Sequence, residues 1–239
     1  RPIRDPEGRL HTFCHAVPGR WHLMGVTLAA GGSLRWFRDT LARPEVAEAE
    51  KRGCDPYEVI TETAAAVPPG SEGLVFLPYL AGERTPYPDP YARGVFFGLS
   101  LGHTRAHMAR AVLEGVAYSL NDCLELMRAI DVPITEVRAT GGGARSRLWR
   151  EIQADLFGVE MITINATEGP AFGAALLAGV GVGVYSNVEE ASARTTWRVD
   201  VTRPDPARGE VYRRQYRLYR RLYPALAPLF RANAEAAES

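Results

Sequence analysis

Cysteine is scarce. The 239-residue chain holds three, Cys14, Cys54 and Cys123, far apart and with no CxxC pair. An odd, scattered set excludes a disulfide framework and makes a reducing compartment the simplest setting. An excess of either charge is also lacking, because 28 Lys plus Arg balance 28 Asp plus Glu. That balance removes the basic surplus expected of a nucleic-acid binder. No apolar run approaches the roughly 20 residues that a membrane-spanning helix needs, and no secretory signal pattern is present. A cytoplasmic location is therefore the expectation. The chain opens on Arg1 and not on Met, which suggests a piece of a longer polypeptide.

What the sequence does have is glycine placed before helices. An apolar, β-prone run from Ile134 to Ala139 leads into Thr140-Gly141-Gly142-Gly143-Ala144-Arg145-Ser146, and a helical pattern follows from Ser146 to Phe157. Glycines at such a junction admit positive φ and keep side chains away from a ligand. Amides at a helix start favour an anion. A nucleotide phosphate seat is one reading, and a tight turn with Ser146 as N-cap is the other. Ala29-Ala30-Gly31-Gly32 followed by Ser33 repeats the motif, with Ser33 as the expected cap and Leu34, Phe37 and Leu41 on one helix face. Thr167-Glu168-Gly169-Pro170, leading into a small-residue helix from Ala171 to Gly179, is a third junction. Repeated β-turn-α units argue for an α/β domain.

Other stretches fill in the frame. His11–His15 and Trp21–Thr27 read as β-prone runs around Val17-Pro18-Gly19-Arg20. His11, Cys14, His15 and His22 fit no zinc spacing. Residues 44–53 read as a charged, exposed run, and Asp55-Pro56 as the cap and first position of a short helix to Ala66. A short strand, 74–77, precedes a long irregular loop, 78–90, of the kind that is often functional; its Glu83 and Arg84 read as a structural ion pair or a ligand contact. The longest helical pattern runs from His103 to Ile130, capped by Thr104, with Glu114 near its apolar stripe. Tyr212, Tyr216, Tyr219 and Tyr223 form an aromatic stripe on a basic helix, suited to packing within the chain or across a homodimer.

Several of these stretches resemble one family. Gly94-x-Phe96-x-Gly98-Leu99, then seven residues, then His107-Met108-x-x-Ala111-Val112-Leu113-Glu114, resembles the second signature of the FGGY carbohydrate kinases. His11–His15, Trp21–Met24 and the loop Tyr79 to Pro86 resemble its xylulose kinase branch, and the resemblance covers roughly residues 9–187. It implies the C-terminal lobe of a ribonuclease H-like (actin/hexokinase/Hsp70 ATPase-type) α/β fold lacking its first strands, with residues 1–203 as the nucleotide-binding domain and 204–239 as a C-terminal amphipathic helix packed on it.

The resemblance further implies ATP and Mg²⁺ as cofactors, D-xylulose as the phosphate acceptor, and an N-terminal lobe of the same polypeptide as partner. It assigns Gly31 to the phosphate-facing turn and Arg35 to a side chain reaching the nucleotide. Gly142 and Gly143 would lie near the α-phosphate and ribose, and Ser146 at the adenine edge, where many relatives carry Asn. The Gly169 to Ala174 turn would support the other side of the purine. The family's catalytic Asp would lie upstream of Arg1, so no catalytic residue is assigned; Asp5, Glu83 and Asp89 are not promoted to that role, and the fragment alone is expected to be inactive. Ribulose, gluconate or glycerol as acceptor, or a non-catalytic actin-like module, are the rival readings.

Overall fold

The two β-prone runs near the start pair as an antiparallel hairpin, β1 (His11–Cys14) and β2 (Trp21–Met24), with His11 opposite Met24 and Cys14 opposite Trp21. The computed structural model describes residues 2–166 and 169–238. Three helices follow the hairpin: α1 (Ala30–Thr40), α2 (Arg43–Arg52) and α3 (Pro56–Ala65). Asp55 caps α3 as expected, its carboxylate accepting the Tyr57 N–H at 2.9 Å, with Pro56 at the first helical position. A second antiparallel pair, β3 (Val75–Leu77) and β4 (Val95–Phe97), flanks the long loop.

The long pattern is helix α4 (Arg105–Arg128). Thr104 caps it, and the His107 ring accepts the Thr104 N–H in return at 3.1 Å. The helix lies hard against β3. A β-carbon on Gly115 would sit 2.2 Å from the Phe76 carbonyl oxygen, so glycine alone permits this approach. Beyond it, β5 (Glu136–Arg138), α5 (Arg147–Phe157) and β6 (Glu160–Ile164) form a β-α-β unit with parallel strands. Helices α6 (Gly169–Gly181) and α7 (Val188–Thr195) precede β7 (Arg198–Thr202), which joins β6 antiparallel and gives the order β5-β6-β7.

The last helix, α8 (Pro206–Glu238), lays its tyrosines inward against α4, α5 and β3. Tyr212, Tyr216 and Tyr219 are buried in the same core as Phe76, Leu113 and Ile152. The aromatic stripe is thus used inside the chain. Each such large apolar side chain contributes about 1.5–3 kcal/mol on burial. Glu114 is buried as well. Its carboxylate accepts from Arg110 Nε at 2.7 Å, the Gly70 N–H at 3.0 Å and the Ser71 hydroxyl at 3.2 Å, while Arg110 also reaches the Tyr212 hydroxyl.

Two expectations change. Ser33 is not the cap of α1: the helix starts at Ala30, so Gly31 and Gly32 lie in its first turn, and the buried Ser33 hydroxyl bonds back to the Ala29 carbonyl at 2.5 Å. Residues 44–53 are charged and mostly exposed, and they form most of α2, with only Glu45 and Ala49 buried. The expected small-residue helix from Ala171 to Gly179 is present within α6, which begins earlier, so Gly169 to Ala174 is its start and not a turn. Thr167 and Glu168, from the same junction, lie outside the described residues.

Candidate functional site

Helix α1 begins without a side-chain cap. The first amides of any α-helix have no carbonyl partner one turn back, and here nothing crowds them: a β-carbon built on Gly31 or Gly32 meets no atom within 4 Å. Arg35, one turn later, is exposed and forms no ion pair among the described residues. An open helix start and an exposed guanidinium on one face suit an anion, the helix end contributing about 0.3–1 kcal/mol.

The glycine turn is more elaborate than a strand running straight into a helix. Gly141 takes φ +75°, and Gly142–Arg145 then forms a short 3-10 turn before α5. Ser146 does cap α5, its hydroxyl accepting the Trp149 N–H at 3.2 Å. The hydroxyl proton is left to donate elsewhere. Arg150 holds the turn from behind: its Nη1 donates to the Ala144 carbonyl at 2.5 Å, its Nη2 to Asp200 at 2.6 Å and its Nε to Thr202 at 3.3 Å. Gly142 is open on its Cβ side, whereas Gly143 faces the Trp149 ring.

These two junctions face each other across a cavity of about 720 Å³. Gly31, Arg35, Gly142, Gly143 and Ser146 all line it, which brings these five residues together at one cavity. Val112, Leu113 and Val116 of α4 form an apolar floor, and Tyr57, Thr61 and Glu62 of α3 a further wall. A volume of this size over an apolar floor is typical of a small-molecule site, and Arg35, Glu58, Thr61, Arg145 and Arg147 add a polar lining. Two of its carboxylates are already engaged: Asp55 as the α3 cap, and Glu62 with Arg52 at 2.7 and 3.0 Å. A shallower depression of about 490 Å³ over α1 and α2 holds none of the five residues.

Sequence reasoning did not find the α3 wall, Arg145 or Trp149. Trp149 had a local signal, an indole in the first turn after three glycines. The α3 residues had none, because only the tertiary packing of α3 brings them near the turn. Conversely, Gly169 to Ala174 does not line the cavity.

Glu83 has a structural role, although not as an ion pair with the Arg84 side chain. Its buried carboxylate accepts from the Thr27 hydroxyl at 3.0 Å, the Leu28 N–H at 3.2 Å and the Arg84 backbone N–H at 2.8 Å, tying the loop to the segment before α1. Burial pushes its pKa up against those hydrogen bonds. On the hairpin, the His22 ring stacks on Phe13 at 5.6 Å. Among the described residues no three His, Cys, Asp or Glu side chains converge as a metal site.

Comparison with known proteins bears on this geometry. The profile of the FGGY family of carbohydrate kinases, C-terminal domain, matches residues 1–182. A xylulose kinase of Staphylococcus epidermidis is 40% identical over 221 residues, covering 92% of this chain and 42% of that protein. A gluconokinase of Bacillus subtilis is 42% identical over 194 residues, covering 80% of this chain and 37% of that protein. The crystal structure of xylulose kinase from Rhodospirillum rubrum superposes with a TM-score of 0.81 at 37% identity, over 95% of this chain and 44% of that one. The chain therefore spans less than half the length of these relatives, and shares with the solved one the actin/hexokinase-like α/β fold. It belongs to the FGGY family of carbohydrate kinases, in the C-terminal domain of that family.

Proposed function

We propose that the cavity between α1 and the glycine turn is the ATP/ADP seat of a sugar kinase that transfers the γ-phosphate to D-xylulose, giving D-xylulose 5-phosphate. One observation carries the reading: Gly31, Arg35, Gly142, Gly143 and Ser146, from either side of α4 in the chain, line a single cavity. In this reading the α1 start and Arg35 meet the phosphates, Gly142 and Gly143 pass close to the α-phosphate and ribose, and the Ser146 hydroxyl donates to the adenine edge.

Phosphoryl transfer is mostly positioning and charge neutralisation, with a carboxylate orienting the acceptor hydroxyl. The engaged Asp55 and Glu62 are poor candidates for that base. Sugar, base and the closing lobe are assigned to the remainder of a longer polypeptide, and residues 1–203 with the helix 204–239 to its nucleotide-binding part. Magnesium in such reactions is held mainly by phosphate oxygens with one or two carboxylates; among the described residues the cavity lining forms no three-ligand cage for it. Gluconate is the alternative acceptor, on the strength of the gluconokinase relative.

Two measurements test the reading. Calorimetry with ADP should give one-site binding to the 239-residue chain without sugar-dependent turnover, and sugar-dependent ADP release by this chain would contradict it. A coupled assay of the longer polypeptide against xylulose, ribulose, gluconate and glycerol should show the highest kcat/KM with xylulose. Binding with no turnover on any acceptor would favour a non-catalytic actin-like module instead.

A further inference from the structure

We infer that Trp149 is a positioning residue that sets the glycine turn at this cavity, an inference that rests on reading the cavity as a nucleotide seat. Trp149 lies in the first turn of α5, three positions beyond Ser146. It makes contacts in four directions. Its backbone N–H donates to the Ser146 hydroxyl at 3.2 Å, and its indole N–H to the Leu113 carbonyl of α4 at 3.3 Å. A β-carbon on Gly143 would lie 1.8 Å from its ring. The ring also lines the cavity and is half-buried.

The three glycines therefore differ in what requires them. Gly141 needs its φ of +75°. Gly142 faces open space, and Gly143 is glycine because the indole fills the place of its side chain. The thickness of the indole sets how high the turn stands above α4. Removing the ring lets the turn sink; a methyl at 143 lifts the turn or expels the ring. Either change moves the Gly142 and Gly143 amides relative to Gly31 and Arg35 across the cavity, and displacements near 1 Å are enough to degrade such a site.

The test is ADP titration of the 239-residue chain, followed by calorimetry and indole fluorescence, with thermal unfolding of each variant as a check on folding. Gly143→Ala and Trp149→Ala should each weaken ADP binding about tenfold, an ordinary size for contacting residues. The double variant should bind no more weakly than Trp149→Ala alone, because the methyl enters space the ring has left. Trp149→Phe should keep affinity within about threefold, since most of the ring packing remains, and should abolish the ADP-dependent fluorescence change. If the alanine variants do not fold, the phenylalanine variant and the fluorescence change decide. Strictly additive losses, or ADP binding by calorimetry with no change in indole emission, overturn the inference and leave the cavity reading intact. Failure of the unaltered chain to bind ADP overturns the cavity reading, and the inference with it.

Discussion

The Tyr216 hydroxyl donates to the Asp122 carboxylate at 2.5 Å, joining α8 to α4 inside the molecule. Burial pushes the Asp122 pKa up to about 7, against the lowering effect of the Tyr216 bond and of Arg220. The unfolded chain would titrate near the ordinary value of 3.8. Between those values the folded state holds the proton more tightly, so stability from this group is full below the lower value and is lost as pH rises through about 7. The slope reaches at most about 1.4 kcal/mol per pH unit. Urea midpoints taken from pH 5 to pH 8 should fall, and Asp122→Asn should flatten that fall. An unchanged slope in the variant would remove Asp122 from the account.

Glu114 and Arg110 are a buried pair one turn apart on α4, with side chains 2% and 4% exposed. Glu114→Ala strands the guanidinium and frees the Gly70 amide and Ser71 hydroxyl. The expected loss is about 3–5 kcal/mol, the usual cost of breaking a buried pair from one side. Chemical denaturation reads it directly, and a loss below about 1 kcal/mol, the surface-pair range, would mean that the pair is open to water.

Arg35→Ala removes an exposed surface charge and should leave stability within about 0.5 kcal/mol. Its effect belongs to the phosphates. ADP affinity should drop about tenfold, in keeping with hydrogen bonds to charged groups, while adenosine affinity stays the same. Calorimetry with both ligands separates the two, and an equal loss for adenosine would contradict the assignment.

Ser146→Ala deletes the α5 cap and should cost about 1 kcal/mol. Ser146→Asn retains a capping oxygen and should stay within about 0.5 kcal/mol of the parent, while offering adenine an amide edge. Thermal unfolding checks the first effect, and ADP against GDP titration the second. An Asn variant as unstable as the Ala variant would show that the cap does not depend on the side-chain oxygen.

Local chemistry accounts for what could be read from the chain. Asp55-Pro56, Thr104 and Ser146 announce their helices because capping is a contact within three residues. The start of α1 was misread because Ser33 looks like a cap, whereas packing extends the helix back through Gly31 and Gly32 against their weak helix propensity. Helix α2 was missed because its buried face holds only Glu45 and Ala49, too little for a periodic apolar signal. The five cavity residues were legible as two glycine-rich helix starts with nearby polar side chains. The α3 wall was not, since Tyr57 and Thr61 reach the cavity only through the packing of α3 on α4. The reason for Gly143 was hidden for the same cause: a triple glycine reads as backbone freedom, and only the fold reveals the indole pressed against its last member.

Crystals of the chain grown with ADP test the central claim most directly. The account predicts nucleotide density in the 720 Å³ cavity, with the phosphates toward Gly31 and Arg35 and the base beside Ser146. Well-ordered ADP lying elsewhere, clear of Gly142 and Ser146, would contradict it.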